Sequence, residues 1–252
     1  MNFYNIVFSP TGGTQKVADT IVNRLSANVI TIDLCDRNAD FASVSFSAED
    51  ICVISAPSYG GRVPAIAVER IRKFNGNGAR AVLVVVYGNR DYEDTLIELK
   101  DTLDAAGFVS IAAVSAIAEH CIARQFAAGH PDEQDIKELE SFADVIKGRL
   151  ETGFNTTLEV PGNRPYKEFK GLPMHPSADK SCVKCGICAE SCPVGAIPMD
   201  DPSKTNNDKC MSCMRCISVC PNDSRKLNKL ALAGATQMLK KACSGRKNNA
   251  FI

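Results

Sequence analysis

The sequence predicts an α/β fold, a doubly wound five-stranded parallel sheet, followed by a small α+β domain rich in cysteine. Three observations predict it. Residues 1–150 alternate nearly continuous apolar runs with helical stripes. Residues 176–222 repeat one cysteine pattern twice, at an offset of 28 residues (Cys182 to Cys210). A stretch rich in proline and glycine lies between the two regions. At 252 residues, 45% of them hydrophobic, the chain is long enough for one or two domains with a sizeable core.

The strands come first in each repeat of the N-terminal pattern. Phe3 to Phe8, Val29 to Leu34, Ile51 to Ala56, Ala81 to Tyr87 and Phe108 to Ala118 are rich in β-branched and aliphatic residues with little alternation. That is the pattern of parallel strands covered on both faces. Helices are predicted between them over Thr14 to Leu25, Pro64 to Phe74, Glu93 to Ala106 and Pro131 to Leu150. Each carries an apolar stripe, and Pro64 and Pro131 stand where a helix start has no use for the missing N–H. In such a sheet, ligands bind in the loops beyond the carboxyl ends of the strands, here 9–14, 57–63, 88–92 and 119–130.

The first loop, Ser9-Pro10-Thr11-Gly12-Gly13-Thr14, reads as a phosphate cradle. Hydroxyls can donate to phosphate oxygens, the glycines permit close backbone approach, and the following helix offers its positive end. It matches neither the Walker pattern nor Gly-x-Gly-x-x-Gly, and a small-residue turn capped by Thr14 would give a similar string. The third strand ends in Pro57-Ser58-Tyr59-Gly60-Gly61 and the fourth runs into Gly88-Asn89-Arg90-Asp91-Tyr92. On these loops residues 3–150 resemble the flavodoxin family. The resemblance implies that Ser9, Thr11, Gly12, Gly13 and Thr14 hold the phosphate of FMN. It also implies that Pro57, Ser58, Tyr59, Gly60, Gly61, Gly88, Asn89, Arg90 and Tyr92 flank the flavin ring, with Tyr59 and Tyr92 stacking and Gly60 or Gly61 nearest N5. Two features depart from the family: Pro10 has no N–H to donate, and the chain contains no Trp. Beyond the fifth strand, the polar stretch Glu119 to Gln125 is expected near the flavin or the second domain, without a catalytic role for His120 or Cys121.

Eight of the 12 cysteines form Cys182-x-x-Cys185-x-x-Cys188-x-x-x-Cys192-Pro193 and Cys210-x-x-Cys213-x-x-Cys216-x-x-x-Cys220-Pro221. Three thiolates at i, i+3 and i+6 wrap three corners of a cubane iron–sulfur cluster, and the fourth ligand must come from elsewhere. Structural zinc uses two Cys-x-x-Cys pairs without the third cysteine, and a disulfide framework belongs to short secreted chains. The runs resemble the bacterial dicluster ferredoxins. That resemblance implies Cys182, Cys185, Cys188 and Cys220 on one 4Fe-4S cluster, and Cys192, Cys210, Cys213 and Cys216 on the second. Pro193 and Pro221 turn the chain away after each crossing ligand. Cys35, Cys52 and Cys243 are expected as ordinary strand and tail thiols.

Together the regions look like the flavodoxin–ferredoxin fusion proteins of anaerobic microbes. The expected division is 1–152 for the flavodoxin-like domain, 153–175 for a linker or strap, 176–222 for the dicluster ferredoxin and 223–252 for a basic helical tail. Phe154, Tyr166 and Phe169 suggest a strap packed on a domain surface. A short strand is expected at Val194 to Ile197; its counterpart after Pro221 is expected to be missing or replaced by a helix through Leu227, Leu230, Ala231 and Leu239. Residues 1–150 carry 14 Lys and Arg against 20 Asp and Glu, and residues 151–252 carry 15 against nine. Neither that basic tail nor any other segment carries a nucleic-acid motif, and no apolar run approaches a membrane span. The expectation is a cytoplasmic electron-transfer protein with reduced thiols, FMN and two 4Fe-4S clusters, serving redox partner proteins the sequence does not identify. The alternative is an FMN-dependent reductase of a small substrate fed by the clusters. A homodimer is left open.

Overall fold

The structure is a computed structural model that describes residues 1–153 and 157–252. Strands β1 (Phe3–Val7), β2 (Val29–Asp33), β3 (Ile51–Pro57), β4 (Arg80–Tyr87) and β5 (Val109–Ile117) form a parallel sheet in the order 2-1-3-4-5. Helices α1 (Gly13–Leu25), α2 (Ala65–Ile71), α3 (Thr95–Ala105) and α4 (Glu133–Thr152) make the crossovers. This is the flavodoxin-like doubly wound order, with its switch point between β1 and β3.

The two faces of the sheet bury separate layers. Val17, Ile21 and Leu25 of α1 and Leu139, Ala143 and Ile146 of α4 cover Val53, Val82, Val84 and Val114. Ala67 and Ile71 of α2 and Leu96, Leu99 and Leu103 of α3 cover Ile6, Ile54, Leu83 and Val85. Odd and even strand residues therefore serve opposite cores, which is why the strand sequences lack alternation. Pro64 is the N-cap of α2. Asp132 caps α4 in a reciprocal box with Asp135, its carboxylate accepting from the N–H groups of Gln134 and Asp135.

A sixth strand extends this sheet. β8 (Ala250–Phe251) runs antiparallel along β5, pairing Val114 with Phe251 and Ser115 with Ala250. The last residues are thus docked on the α/β domain. Asn89 donates to the carbonyls of Cys243 and Gly245, each at 2.8 Å, and accepts from the N–H of Lys247 at 2.9 Å. The Tyr87 hydroxyl donates to Asn248 O at 2.8 Å, and Arg246 pairs with Asp132 and Asp135. The tail is helical only over α7 (Lys229–Leu239).

Residues 157–176 form a strap over α3. Arg164 and the Tyr166 hydroxyl both bind Asp101, Lys167 pairs with Glu93, and Asp94 accepts from the backbone of Asn163 and Lys167. Phe154 lies outside the described residues. In the cysteine-rich region the described residues contain no strand at 194–197; Ala196 instead sends its N–H to Cys192 Sγ at 3.3 Å. The second half does keep a strand. β7 (Arg225–Lys226) pairs antiparallel with β6 (Ser177–Ala178) before α7 begins, so residues 223–226 complete the cysteine-rich unit. Short helices α5 (Ile187–Glu190) and α6 (Arg215–Ser218) carry ligand-spaced cysteines. Among the described residues, no helix is long and apolar enough to cross a membrane.

Candidate functional site

The carboxyl ends of β1, β3, β4 and β5 open on a cavity with about 730 Å³ of empty space, partly open to solvent. Four loops and two further segments wall it. Thr11, Gly13 and Thr14 come from the first loop, Pro57, Ser58, Tyr59 and Gly60 from the second, Gly88 from the third, and Glu119 to Ile122 from the fourth. Phe169 and Leu172 of the strap and Met211 and Ser212 of the cysteine-rich unit close it from above. No pattern in those four positions marked them; the aromatic content of the strap was the only sign.

The first loop has an anion-binding geometry. Gly12, at φ +92°, caps α1 without a side-chain hydrogen bond. The N–H groups of Thr11, Gly12, Gly13 and Thr14 find no acceptor among the described residues. Ser9 is used differently: its hydroxyl accepts from the N–H of Gln15 at 2.9 Å, and so orders the loop rather than lining the cavity. Free N–H groups at the start of a 13-residue helix can hold a phosphate dianion without a lysine.

Several other predicted residues are committed elsewhere. Gly60 and Gly61 are the two central residues of a tight hairpin turn, closed by reciprocal bonds between Tyr59 and Arg62 at 2.9 and 3.2 Å. Both have positive φ, +63° and +88°, as a two-residue turn of this hand requires. A Cβ on Gly60 would lie 2.2 Å from the Phe169 ring, so the glycine also lets the strap approach. Gly61 faces Glu93 instead of the cavity. Asn89 holds the tail as described, Arg90 pairs with Glu93 at 2.8 Å, and Tyr92 packs on Tyr87 and the α2–α3 core. None of Gly61, Asn89, Arg90 and Tyr92 lines the cavity, because each is taken up by packing of the third loop. Tyr59 does line it, as does Cys121. Burial pushes the Tyr59 phenol well above its ordinary value and the Cys121 thiol up to about 11, so both stay protonated at neutral pH.

His120 also faces this cavity. Its Nδ1 accepts from the N–H groups of Ile122 at 3.2 Å and Ala123 at 3.1 Å, leaving the proton on Nε2. Burial lowers its pKa below the ordinary histidine value, so the ring is a neutral donor.

The eight patterned cysteines divide between two smaller cavities. Cys182, Cys185, Cys188 and Cys220 line one of about 320 Å³, and Cys192, Cys210, Cys213 and Cys216 line another of about 330 Å³. The dicluster resemblance implies the same division. A single tetrahedral zinc with Zn–S near 2.3 Å needs sulfurs about 3.8 Å apart. Among the described residues, no three of these cysteines bring their sulfurs within 4.8 Å of one another. Sulfurs spread around a cavity suit a larger cluster. Donors aimed at sulfur add to the fit: Ser224 N–H to Cys220 at 3.3 Å, Ala196 N–H to Cys192 at 3.3 Å and Arg225 Nε to Cys188 at 3.2 Å. Arg225 is 1% exposed and bound to Thr205 Oγ1 and to the carbonyls of Pro176, Pro202 and Lys204. It belongs to the thiol site, not to a solvated basic tail. Burial pushes the Cys216 thiol up to about 12 and Cys213 upward as well, so their thiolates need bound cationic iron to offset the loss of water.

Residues 181–224 match the family model of the 4Fe-4S dicluster domain. A 68-residue stretch is 31% identical to the polyferredoxin protein MvhB of Methanothermus fervidus, covering 27% of this chain and 16% of that protein. This chain therefore spans only a small part of that relative's length. Among solved structures, the Streptococcus pneumoniae TIGR4 flavodoxin is 21% identical and covers 58% of this chain and 99% of its own, at a TM-score of 0.42. The flavodoxin of Fusobacterium nucleatum bound to flavin mononucleotide is 15% identical and covers 62% and 100%, also at 0.42. Sheet order and family match together give one conclusion: the chain joins a flavodoxin-like α/β domain to a 4Fe-4S dicluster ferredoxin domain.

Proposed function

We propose that this protein transfers electrons between one FMN and two 4Fe-4S clusters held in a single chain. The observation that carries the reading is the shared cavity: free backbone N–H groups at the start of α1 on one side, the thiol-bearing unit on the other. FMN would supply an acceptor able to take one or two electrons, and the clusters a single-electron path. The residues bind, orient and insulate. Thr11 to Thr14 would hold the phosphate, while Tyr59 and Phe169 offer apolar walls to the flavin ring. Phe169, Leu172 and Met211 exclude bulk water from above, and the neutral His120 offers one N–H donor to a polar ring edge. Redox partner proteins outside the chain complete the circuit.

A second reading, an FMN-dependent reductase, draws on an adjoining groove lined by Tyr59, Phe169, Met211 and Arg72. Turnover of small acceptors in that groove would favour it over the carrier.

The test is cofactor analysis of anaerobically purified protein, with about eight iron, eight sulfide and one FMN per chain expected. Thr11→Asp, which sets a carboxylate against the phosphate, should weaken FMN by at least about tenfold, roughly 1.4 kcal/mol, and leave riboflavin affinity nearly unchanged. Zinc in place of iron, or equal losses for both flavins, would overturn the reading.

A further inference from the structure

The two thiol cavities stand differently toward the flavin cavity. Met211 lines both the flavin cavity and the cavity of Cys192, Cys210, Cys213 and Cys216, and Ser212 beside it lines the flavin cavity next to the ligand Cys213. No residue is shared between the flavin cavity and that of Cys182, Cys185, Cys188 and Cys220. We infer that the Cys192-containing set is the flavin-side centre and the Cys182-containing set the outward one. This rests on the reading of FMN in the larger cavity.

Contacts around the second set fix it against the α/β domain. In α6, one residue before Cys216, Arg215 donates to Ser9 O at 3.2 Å, and Ser218 reaches Pro10 O at 3.5 Å. Both carbonyls belong to the cradle loop. Buried Arg70 of α2 donates to the carbonyl of Pro193, directly after Cys192, at 2.6 Å. Ser212 Oγ donates to Leu172 O of the strap at 2.8 Å. Every element that bounds the flavin cavity from above is thereby tied to the second set.

The first set faces the other way. Cys185 is exposed, and around it Val183, Ile187 and Met199 are 65%, 40% and 58% exposed. Electron transfer weakens steeply with distance through protein, so placement sets the order. For each electron passed inward, an external one-electron donor protein is oxidised by one and the flavin is reduced by one. Both clusters return to their starting state.

The test uses the full chain loaded with iron, sulfide and FMN, with cluster signals in electron paramagnetic resonance assigned through Cys185→Ser and Cys213→Ser. Adding FMN to flavin-free protein should change the signal of the second set and leave that of the first. Met211→Trp should weaken FMN by at least about tenfold and shift the second signal alone; Val183→Trp should change FMN affinity by less than about twofold. An iron chelator should strip the first set before the second, whether or not FMN is present. A first-set signal that responds to FMN, unchanged FMN affinity in Met211→Trp, or stripping in the reverse order would overturn the ordering. Failure of the intact chain to bind FMN would instead remove the reading beneath it, while the chelator order still decides which set faces outward.

Discussion

At His120 the local sequence and the burial act in opposite directions. A histidine beside a cysteine suggests proton chemistry, yet Nδ1 is occupied by two backbone N–H groups and the imidazolium is disfavoured by burial. Its native pKa lies below the ordinary 6.5, the value it regains on unfolding. Between those two values the unfolded chain binds more protons, so stability is full above about pH 6.5 and falls as the pH drops through the native pKa. Melting curves of the wild type should therefore lose stability between pH 7 and pH 5. His120→Gln, whose carbonyl can still accept from the same N–H groups, should lose less over that interval. An identical pH dependence in the two proteins would show that His120 does not titrate in this way. Arg225 carries the complementary lesson at this scale. Its charge counts as part of a basic tail in the sequence, but four hydrogen bonds to oxygens and a fifth to the Cys188 sulfur make it a buried partner of the Cys182-containing set.

The regular elements of the α/β domain were legible because strand and helix patterns there answer to two extensive cores. Short elements were not. β8 has two residues and gains its pairing only from the exposed edge of β5, while β7 rests on a two-residue partnership with β6. No periodicity accumulates over such lengths. The loops were legible in part: the eight cysteines line two cavities in the sets that the resemblance implies, whereas Gly60 and Gly61, expected beside the flavin ring, form a tight turn in which Gly61 faces Glu93. Asn89, Arg90 and Tyr92 were not, because the tail and Glu93 that engage them lie outside any local pattern. The hairpin gives a direct test of strap closure. Gly60→Ala would place a side chain at φ +63° and against Phe169, a strain of about 1–3 kcal/mol from the backbone before the clash is added. FMN affinity should fall by about tenfold or more. Gly129→Ala has comparable backbone strain at φ +81° but open space around it, and should leave FMN binding unchanged. Equal FMN affinity in both variants would separate the strap from the cavity.

In the whole molecule, the dicluster unit is held from three sides. Arg215, Ser218 and Arg70 join it to the α/β domain directly, the strap reaches it through Leu172, and the tail returns from α7 to the edge of β5. Two regions and a packed connection are legible in the sequence, whereas the pairing of β8 along β5 leaves no local pattern in it. On the proposed function, such a body would turn electron exchange between domains from a collision into an intramolecular event, with an effective concentration fixed by the fold. Backbone and buried contacts carry most of the docking, so salt should affect it less than the opposite charges of the two halves suggest. The most direct measurement is the rate of electron transfer between cluster and flavin after rapid mixing with a limiting reductant, followed at several protein concentrations. A single intramolecular phase whose rate constant is independent of protein concentration is the expected result. A rate that rises in proportion to concentration would contradict the account, because the electrons would then be crossing between molecules.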